Sequence, residues 1–398
     1  MSSFGGVPEG VEVGRASAEV AVGDETAAEA SIVIVNYNGL DDLTACLRSL
    51  ETDNHGRYDV IIVDNGSTDG SATYVRENHV DVEVVENDGN LGFGRGSNVG
   101  AHQARGRYLA FLNPDTVVEP GWLDALIGAL TDYPEAGLAT SKIVLRDDPK
   151  RINTCGNQVH CTGLTLCRGM GACRSQFGAY AWVDAVSGAA FAISRATFRS
   201  LGGFDESFFL YMEDTDLSWR ARLAGYRCLY VPDSVVHHDY TLRFGPRKTY
   251  YQERNRYVML LKNLQWRSLL VLIPALLLGE AVTWGFVLLR DRQRVMNKLR
   301  AYGWVVKHWG SIMEARRKVQ ALRRVPDREL IGSCTHRLAF EQTGGGFVAR
   351  IAHWIFDPLF FLLQRLGLQV MRGKRRARSL AVSGDAGGTR PGAKLSIE

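Results

Sequence analysis

Residues 31–71 read SIVIVNYNGLDDLTACLRSLETDNHGRYDVIIVDNGSTDGS. The run at 31–36, SIVIVN, is continuously apolar after its first residue, has the length of a strand and stops at Asn-Tyr-Asn-Gly. It reads as a parallel strand buried on both faces and followed by a turn. Leu43, Leu47 and Leu50 then keep helical spacing, and 58–63, YDVIIV, is a second buried strand that stops at Asp64 ahead of the turn-forming NGSTDGS. On either side of this βαβ unit the pattern continues. Apolar runs at 82–85 and 108–112, with helix-like segments at 97–104 and 122–130, predict an α/β fold with a mostly parallel sheet flanked by helices. In such sheets ligands bind beyond the carboxyl ends of the strands. Here those ends carry Asn36-Tyr37-Asn38, Asp64-Asn65 and Asn113-Pro114-Asp115, three polar strand ends that imply one cleft.

The chain of 398 residues is 45% hydrophobic and 23% charged, which places it among globular proteins and excludes a disordered or fibrous one. Its formal charge of +4 argues against a dedicated nucleic-acid binder, yet that average conceals a gradient. Residues 1–30 hold six acids against the single Arg15, without the basic start or apolar core of a secretory signal, and read as a disordered acidic leader. Residues 290–350 hold fourteen Lys and Arg against five acids. Composition turns apolar and basic after about residue 243, so the expected organisation is a leader at 1–30, an α/β domain at 31–245, a helical membrane-associated region at 246–370 and a basic disordered tail at 371–398. Seven cysteines, an odd number in a large chain without an export signal, point to reduced thiols. Cys155, Cys161, Cys167 and Cys173 recur every six residues, wider than the roughly two to four of paired zinc ligands, so burial or chance is favoured over a metal cluster.

Asn113-Pro114-Asp115 brings a carboxylate and an amide oxygen to the cleft, ligands that suit a hard divalent cation shared with substrate phosphates; alone, the triplet also fits a turn. Glu213, Asp214 and Asp216 open a helical pattern that runs to Leu223. Capping and the helix dipole account for one or two of these acids, leaving one as a general base. His237 and His238 end a strand-like run, and alternation sends only one of them into the cleft. There a neutral imidazole completes a metal shell begun by Asp115, the alternative being a solvated loop end. The segment 87–98, NDGNLGFGRGSN, sets four glycines ahead of a helix and reads as a flexible connector or a backbone cradle for phosphate. It follows the third strand rather than the first, which sets a Rossmann dinucleotide site, and with it a dehydrogenase, aside.

Taken in order, SIVIVNYNG, VIIVDNGSTDGS, NDGNLGFGRGSNVG, YLAFLNPDTVVEPGWL, VSGAAFAISRATFRSLGGFDESFFLYMEDTDLSWR and VPDSVVHH resemble the family 2 glycosyltransferases, and within them the rhamnosyltransferase-like branch, from residue 31 to about 240. The resemblance implies the GT-A nucleotide-diphospho-sugar transferase fold and an inverting, metal-dependent transfer of a sugar from a nucleotide-diphosphate sugar to an acceptor hydroxyl. A rhamnosyl donor is favoured, in cell-surface polysaccharide or glycolipid assembly. Residue by residue, it implies that Asn36, Asp64, Asn90, Asn113 and Asp115 bind the donor, that Asp115 and His238 hold Mg²⁺ or Mn²⁺, and that Asp214 is the catalytic base, with His237 the alternative to His238. Asn113 stands where the family's Asp-x-Asp motif has its first Asp, which leaves Asp115 as the main carboxylate ligand. A transferase with a UDP-hexose donor and a catalytically silent membrane-bound scaffold stay open as alternatives; the presence of Asp64, Asp115, Asp214 and His238 together counts against the scaffold.

Residues 268–289 hold no Lys or Arg and are long enough to span a bilayer. Pro274 and Glu280 fall near the middle, where an acid costs roughly 2.5–3.5 kcal/mol. A second apolar run, 351–370, contains Asp357, Pro358 and Arg365, and two spans would strand the basic 290–350 segment against the positive-inside rule. Val295, Leu299, Tyr302, Val306, Trp309 and Met313 alternate four- and three-residue spacings, with Arg292, Lys298, Arg300, Lys307 and Arg317 among the polar positions. That predicts one basic amphipathic helix, lying in the membrane interface or packed on its own domain. With the basic cluster 372–378, the expected partners are an anionic membrane surface and a glycan or lipid-linked acceptor, at the cytoplasmic face of the cell membrane as a peripheral or monotopic protein. Nucleic acid is not expected, because the basic region lacks interleaved aromatic platforms.

Overall fold

Strand β1 (Ala30–Asn36) is buried at every residue, between parallel neighbours β2 (Tyr58–Asp64) and β4 (Tyr108–Leu112), with β3 (Val82–Glu86) beyond β2. The computed structural model describes residues 28–54, 57–240, 246–290, 295–340 and 347–372; the leader up to 27 and the tail from 373 lie outside the described residues. Ile32 and Ile34 pack with Leu43 and Leu47 of α1 (Leu40–Asn54), whereas Val33 and Val35 lie under α3 (Phe93–Gln103). Burial on both faces is why this strand shows no polar alternation.

Antiparallel β11 (Ala190–Ser194) links β4 to β6 (Ala136–Leu145), and β6 pairs parallel with the long β12 (Arg227–His238), at whose other side lies β10 (Ala181–Val183). The order is β10-β12-β6-β11-β4-β1-β2-β3, with only β10 and β11 opposed to the rest. The mostly parallel sheet expected from the strand and helix alternation is therefore present. Short β5 (Thr116–Val118) pairs with the end of β12, bringing the segment after β4 beside His238.

Helix α6 (Glu213–Leu223) is the hinge between two cores. Its Leu217 and Ala221 pack toward the sheet, and its Trp219 and Leu223 pack into a second core formed with α7 (Pro246–Asn263), α8 (Trp266–Arg290), α10 (Trp309–Leu322), α11 (Asp327–Ser333) and α12 (Phe347–Arg372). Charge fixes that junction. Fully buried Asp216 accepts from Arg220 Nε at 2.8 Å, Lys262 Nζ at 3.0 Å and Asn263 Nδ2 at 2.9 Å, the last two from the end of α7.

The helical layer corrects the reading of 268–313 in three ways. The single helix expected there is two, α9 (Val295–Lys307) and α10, broken at His308, whose ring stacks on Trp304 at 4.0 Å. Lys298, placed by the spacing among the polar positions, is fully buried with Nζ 3.2 Å from Glu280 and 3.4 Å from Glu253. Glu280 is no isolated acid in an apolar run: it also accepts from Arg256, Tyr257 and Tyr302. Burial opposes its ionisation, but Arg256 and the two tyrosine hydroxyls hold its carboxyl down at about 2.

The evenly spaced cysteines lie among three short strands, β7 (Ile152–Thr154), β8 (Asn157–Val159) and β9 (Thr165–Cys167), which do not themselves repeat every six residues. None of the seven cysteines forms a disulfide, and among the described residues no three His, Cys, Asp or Glu side chains gather into a metal-binding group.

Candidate active site

The carboxyl ends of β1, β2, β4 and β12 and the amino end of antiparallel β11 open at one edge of the sheet. At the β1 and β2 ends, buried Asn36 donates from Nδ2 to Asp64 Oδ1 and to Ser67 Oγ, both at 3.3 Å, while Asp64 Oδ2 accepts the Ser67 backbone N–H at 2.8 Å. Asn36 Oδ1 is buried with no hydrogen-bond partner, close to the turn after β1, where a Cβ on Gly39 would lie 2.9 Å from it. Asn65 donates to the Gly92 carbonyl at 3.1 Å and accepts from Asn87 at 2.9 Å. Asn90 is exposed, and its Oδ1 accepts the Gly92 N–H at 2.9 Å, so it shapes its own loop.

Glycines set how closely these loops meet. A Cβ on Gly66, at φ +75°, would lie 2.7 Å from Gly89 Cα, and one on Gly92, at φ +81°, would lie 2.2 Å from the Phe209 carbonyl oxygen. The glycine-rich segment is therefore packed against its neighbours and is not a flexible connector.

At the β4 end, Asn113 N–H donates to Ala189 O at 2.9 Å, and the next residue back, Gly188, donates its N–H to Asp214 Oδ2 at 2.8 Å. Two adjacent backbone groups thus bring Asn113 and Asp214 into one site. Asp214 Oδ1 accepts Thr215 N–H at 2.6 Å, and Asn157 Nδ2 stands 3.5 Å from Oδ2. Burial raises the Asp214 carboxyl above the ordinary range, and the Gly188 and Thr215 hydrogen bonds pull against that rise. Just before it, Tyr211 and Met212 both adopt the left-handed region, at φ 68° and 71°. For two bulky residues this is strained backbone, of order 1–3 kcal/mol each, of the kind that surrounding structure imposes at functional sites.

Asp115 Oδ1 faces His238 Nε2 at 3.3 Å and has no hydrogen-bond partner although buried. His238 Nδ1 lies 2.9 Å from Asn153 Oδ1; as donor there it turns a bare Nε2 toward the carboxylate. Two electron-rich donors facing each other fit a divalent cation: ligands about 2.1 Å from an octahedral ion stand about 3.0 Å apart. Further negative charge gathers here, since burial and then the charges of Asp115 and Asp239 raise the Asp42 carboxyl. His237 points to the opposite face, with Nε2 2.9 Å from Glu119 Oε1, as strand alternation requires.

The three acids of α6 divide as follows: Asp214 faces Gly188, Asp216 anchors α7, and Glu213 is buried with Oε2 unpartnered. Burial, then the Asp214 charge, pushes the Glu213 carboxyl up to about 8. From the ordinary carboxylate range to about 8 the folded chain keeps a proton that the unfolded chain has lost, so stability falls as pH rises through that window. The melting temperature should decline across this interval, and Glu213→Gln should flatten the curve and lie above the parent at its alkaline end. Parallel curves for the two proteins would contradict this.

Four contributors escaped sequence reading: Gly188, Asn157, Asn153 and Ser67. Gly188 lay inside a stretch already singled out, but its role is a backbone N–H and leaves no trace in side-chain chemistry. Asn153 and Asn157 come from β7 and β8, too short to register as strands.

The family model described as "Glycosyl transferase family 2" matches residues 31–165, and "Glycosyl transferase family group 2" matches residues 108–315. The chain is 30% identical over 236 residues to an N-acetylglucosaminyl-diphospho-decaprenol L-rhamnosyltransferase of Mycobacterium tuberculosis, covering 52% of this chain and 75% of the relative. It is also 30% identical over 224 residues to a pre-mycofactocin glycosyltransferase of the same organism, covering 54% of this chain and 44% of that one. In structure it is similar to S. aureus TarS 1-349 in complex with UDP-GlcNAc, with a TM-score of 0.50 at 16% identity, over 89% of this chain and 92% of that one. That likeness is one of fold.

Proposed function

Because the chain belongs to glycosyl transferase family 2 and has the GT-A fold, we propose that it is an inverting, metal-assisted transferase that moves a sugar, rhamnosyl favoured, from a nucleotide-diphosphate donor to a lipid-linked acceptor at a membrane surface. The observation that carries this reading is the convergence of Asn36–Asp64, Asp115–His238 and Asp214 at one edge of the sheet. Asn36 and Asp64 hold the nucleoside, with the unpartnered Asn36 Oδ1 as a free acceptor. Asp214 takes the proton of the acceptor hydroxyl while that oxygen bonds to the anomeric carbon. The bond from that carbon to the diphosphate oxygen breaks on the opposite face, which inverts the centre. One base suffices, in contrast to hydrolases that need paired carboxylates. Asp115 and His238 would hold Mg²⁺ or Mn²⁺, which when bound neutralises charge on the leaving diphosphate.

The acceptor class is supported by the rhamnosyltransferase relative, whose name specifies a diphospho-decaprenol substrate. The membrane surface is supported by α8 and α12, which lie together with Gly367 against Val271. Leu270, Ile273 and Leu277 of α8 and Leu359, Leu362 and Leu366 of α12 are exposed, with Arg267 and Arg365 on the same helices. Among the described residues α8 is the helix long and apolar enough to cross a bilayer. Its middle, however, packs against the rest of the protein: a Cβ on Gly279 would be 3.0 Å from Thr162 of the α/β domain, and Glu280 is tied to Arg256 of α7. This favours a helix lying along the surface, at the cytoplasmic face where nucleotide sugars are available.

The test is transfer from a panel including dTDP-rhamnose and UDP-hexoses to a polyprenyl-diphosphate sugar, with Mn²⁺ or Mg²⁺. The expected outcome is one preferred donor, a product of inverted anomeric configuration, and activity lost in EDTA and restored by metal. Transfer from none of the donors would refute the reading, and full activity in EDTA would remove the metal from it.

A further inference from the structure

Between α7 and α9 lies a cavity of about 510 Å³, remote from the sheet edge in sequence and lined by Tyr250, Tyr251, Trp304, Arg300 and Lys307. Its chemistry is one-sided: among the described residues the lining includes two cations and no carboxylate. Behind the aromatic wall sits a third cation, buried Arg254, with its guanidinium 4.5 Å from the Trp304 ring centre and 4.9 Å from that of Tyr251. Arg254 is fixed there by donating to Ser207 O at 2.7 Å.

The shape has a single cause on α9. Arg300, Gly303 and Lys307 share one face at i, i+3 and i+7, and a Cβ on Gly303 would meet nothing within 4 Å. Glycine inside a helix is unfavourable relative to alanine, and here it leaves open the space between two cations. Beside them Leu299 and Val306 are 46% and 74% exposed, so an apolar strip runs next to the basic one. A ligand that satisfies both carries an anionic head and an apolar chain.

Contacts through Tyr251 and Lys248 link the cavity to the segments that flank the transfer site. Tyr251 stacks on Phe209 at 5.3 Å, and the Phe209 carbonyl accepts the Phe93 N–H at the start of α3. One turn earlier on α7, Lys248 lies 5.4 Å from the Tyr211 ring, two residues before Glu213.

We propose that this cavity binds the phosphate or diphosphate group of an amphiphilic acceptor, the head between Arg300 and Lys307 and the chain along Leu299 and Val306. The proposal rests on the transferase reading above and names where its acceptor is held. Gly303→Leu fills the cavity while improving helix propensity, and Arg300→Gln/Lys307→Gln removes the charge at exposed positions. In the full-length protein both should weaken binding to phosphatidylcholine vesicles carrying farnesyl diphosphate by about tenfold, the equivalent of roughly 1.4 kcal/mol. Gly303→Leu should leave binding to phosphatidylglycerol vesicles unchanged, and both variants should raise the acceptor KM with kcat and donor affinity kept.

Equal loss on both vesicle types would overturn the proposal in favour of general attraction to anionic lipid. Inorganic pyrophosphate competing as well as the lipid diphosphate would overturn it in favour of a soluble phosphate ligand. Unchanged acceptor KM in folded variants would overturn it and leave the transferase reading intact. Selective loss of farnesyl-diphosphate binding in a protein that uses none of the donors would support the cavity and refute the transferase.

Discussion

Asp214→Asn should slow sugar transfer by about two to four orders of magnitude, the usual contribution of a general base, while donor affinity stays within about twofold of the parent. The amide keeps the size of the carboxylate but cannot take a proton from the acceptor hydroxyl. It also turns an N–H toward one of the two backbone donors now satisfied by Asp214, Gly188 or Thr215. That mismatch adds a stability loss of about 1–3 kcal/mol, so initial rates need to be read beside a melting curve and donor titration calorimetry. A folded, donor-binding variant with parental transfer rate would exclude Asp214 as the base.

Asp216→Ala should destabilise the protein by about 3–5 kcal/mol, the cost of stranding buried charge. Arg220 and Lys262 are each almost wholly inaccessible and both donate to this carboxylate, as does Asn263. Lys262 retains its contact with Asp205, which places the loss toward the lower end of that range. Denaturant unfolding is the appropriate measurement, with Asp216→Asn as the smaller perturbation. A loss below about 1 kcal/mol for the alanine variant would show that the junction between α6 and α7 does not depend on this charge cluster. Since Asp214 occupies the same helical turn, activity should fall along with stability.

The sheet and its polar edge were readable because β1 and β2 are apolar over their whole length and end abruptly in Asn36 and Asp64, a pattern that burial on both faces demands. The first turn of α6 was readable for a related reason, three acids ahead of a helical period. What the residue pattern alone could not assign was which acid does what; the resemblance, not the spacing, pointed to Asp214. Asp214 and Asp216 differ only in the neighbours they meet, Gly188 in one case and Lys262 in the other, and those neighbours lie 26 and 46 positions away in the chain. The helical layer misled for the same cause. Periodicity placed Lys298 on a polar face, but that face meets Glu280 and Glu253, so a lysine that looks solvated is interior. His308 ended a helix that by spacing alone should have continued to Met313.

The tight meeting of Gly66 with Gly89, and of Gly92 with the Phe209 carbonyl, bears on how this cleft receives a ligand. Ordering a free residue's backbone consumes about 1–2 kcal/mol, and a mobile loop of several residues surrenders that at the moment of binding. Here three loops, from β2, from β3 and from the approach to α6, are interlocked by direct contacts within the chain itself. The entropy was given up when the chain folded. On the proposed reading the donor side of the cleft is thus preorganised, and discrimination there rests on a shape already present rather than on one assembled around the guest.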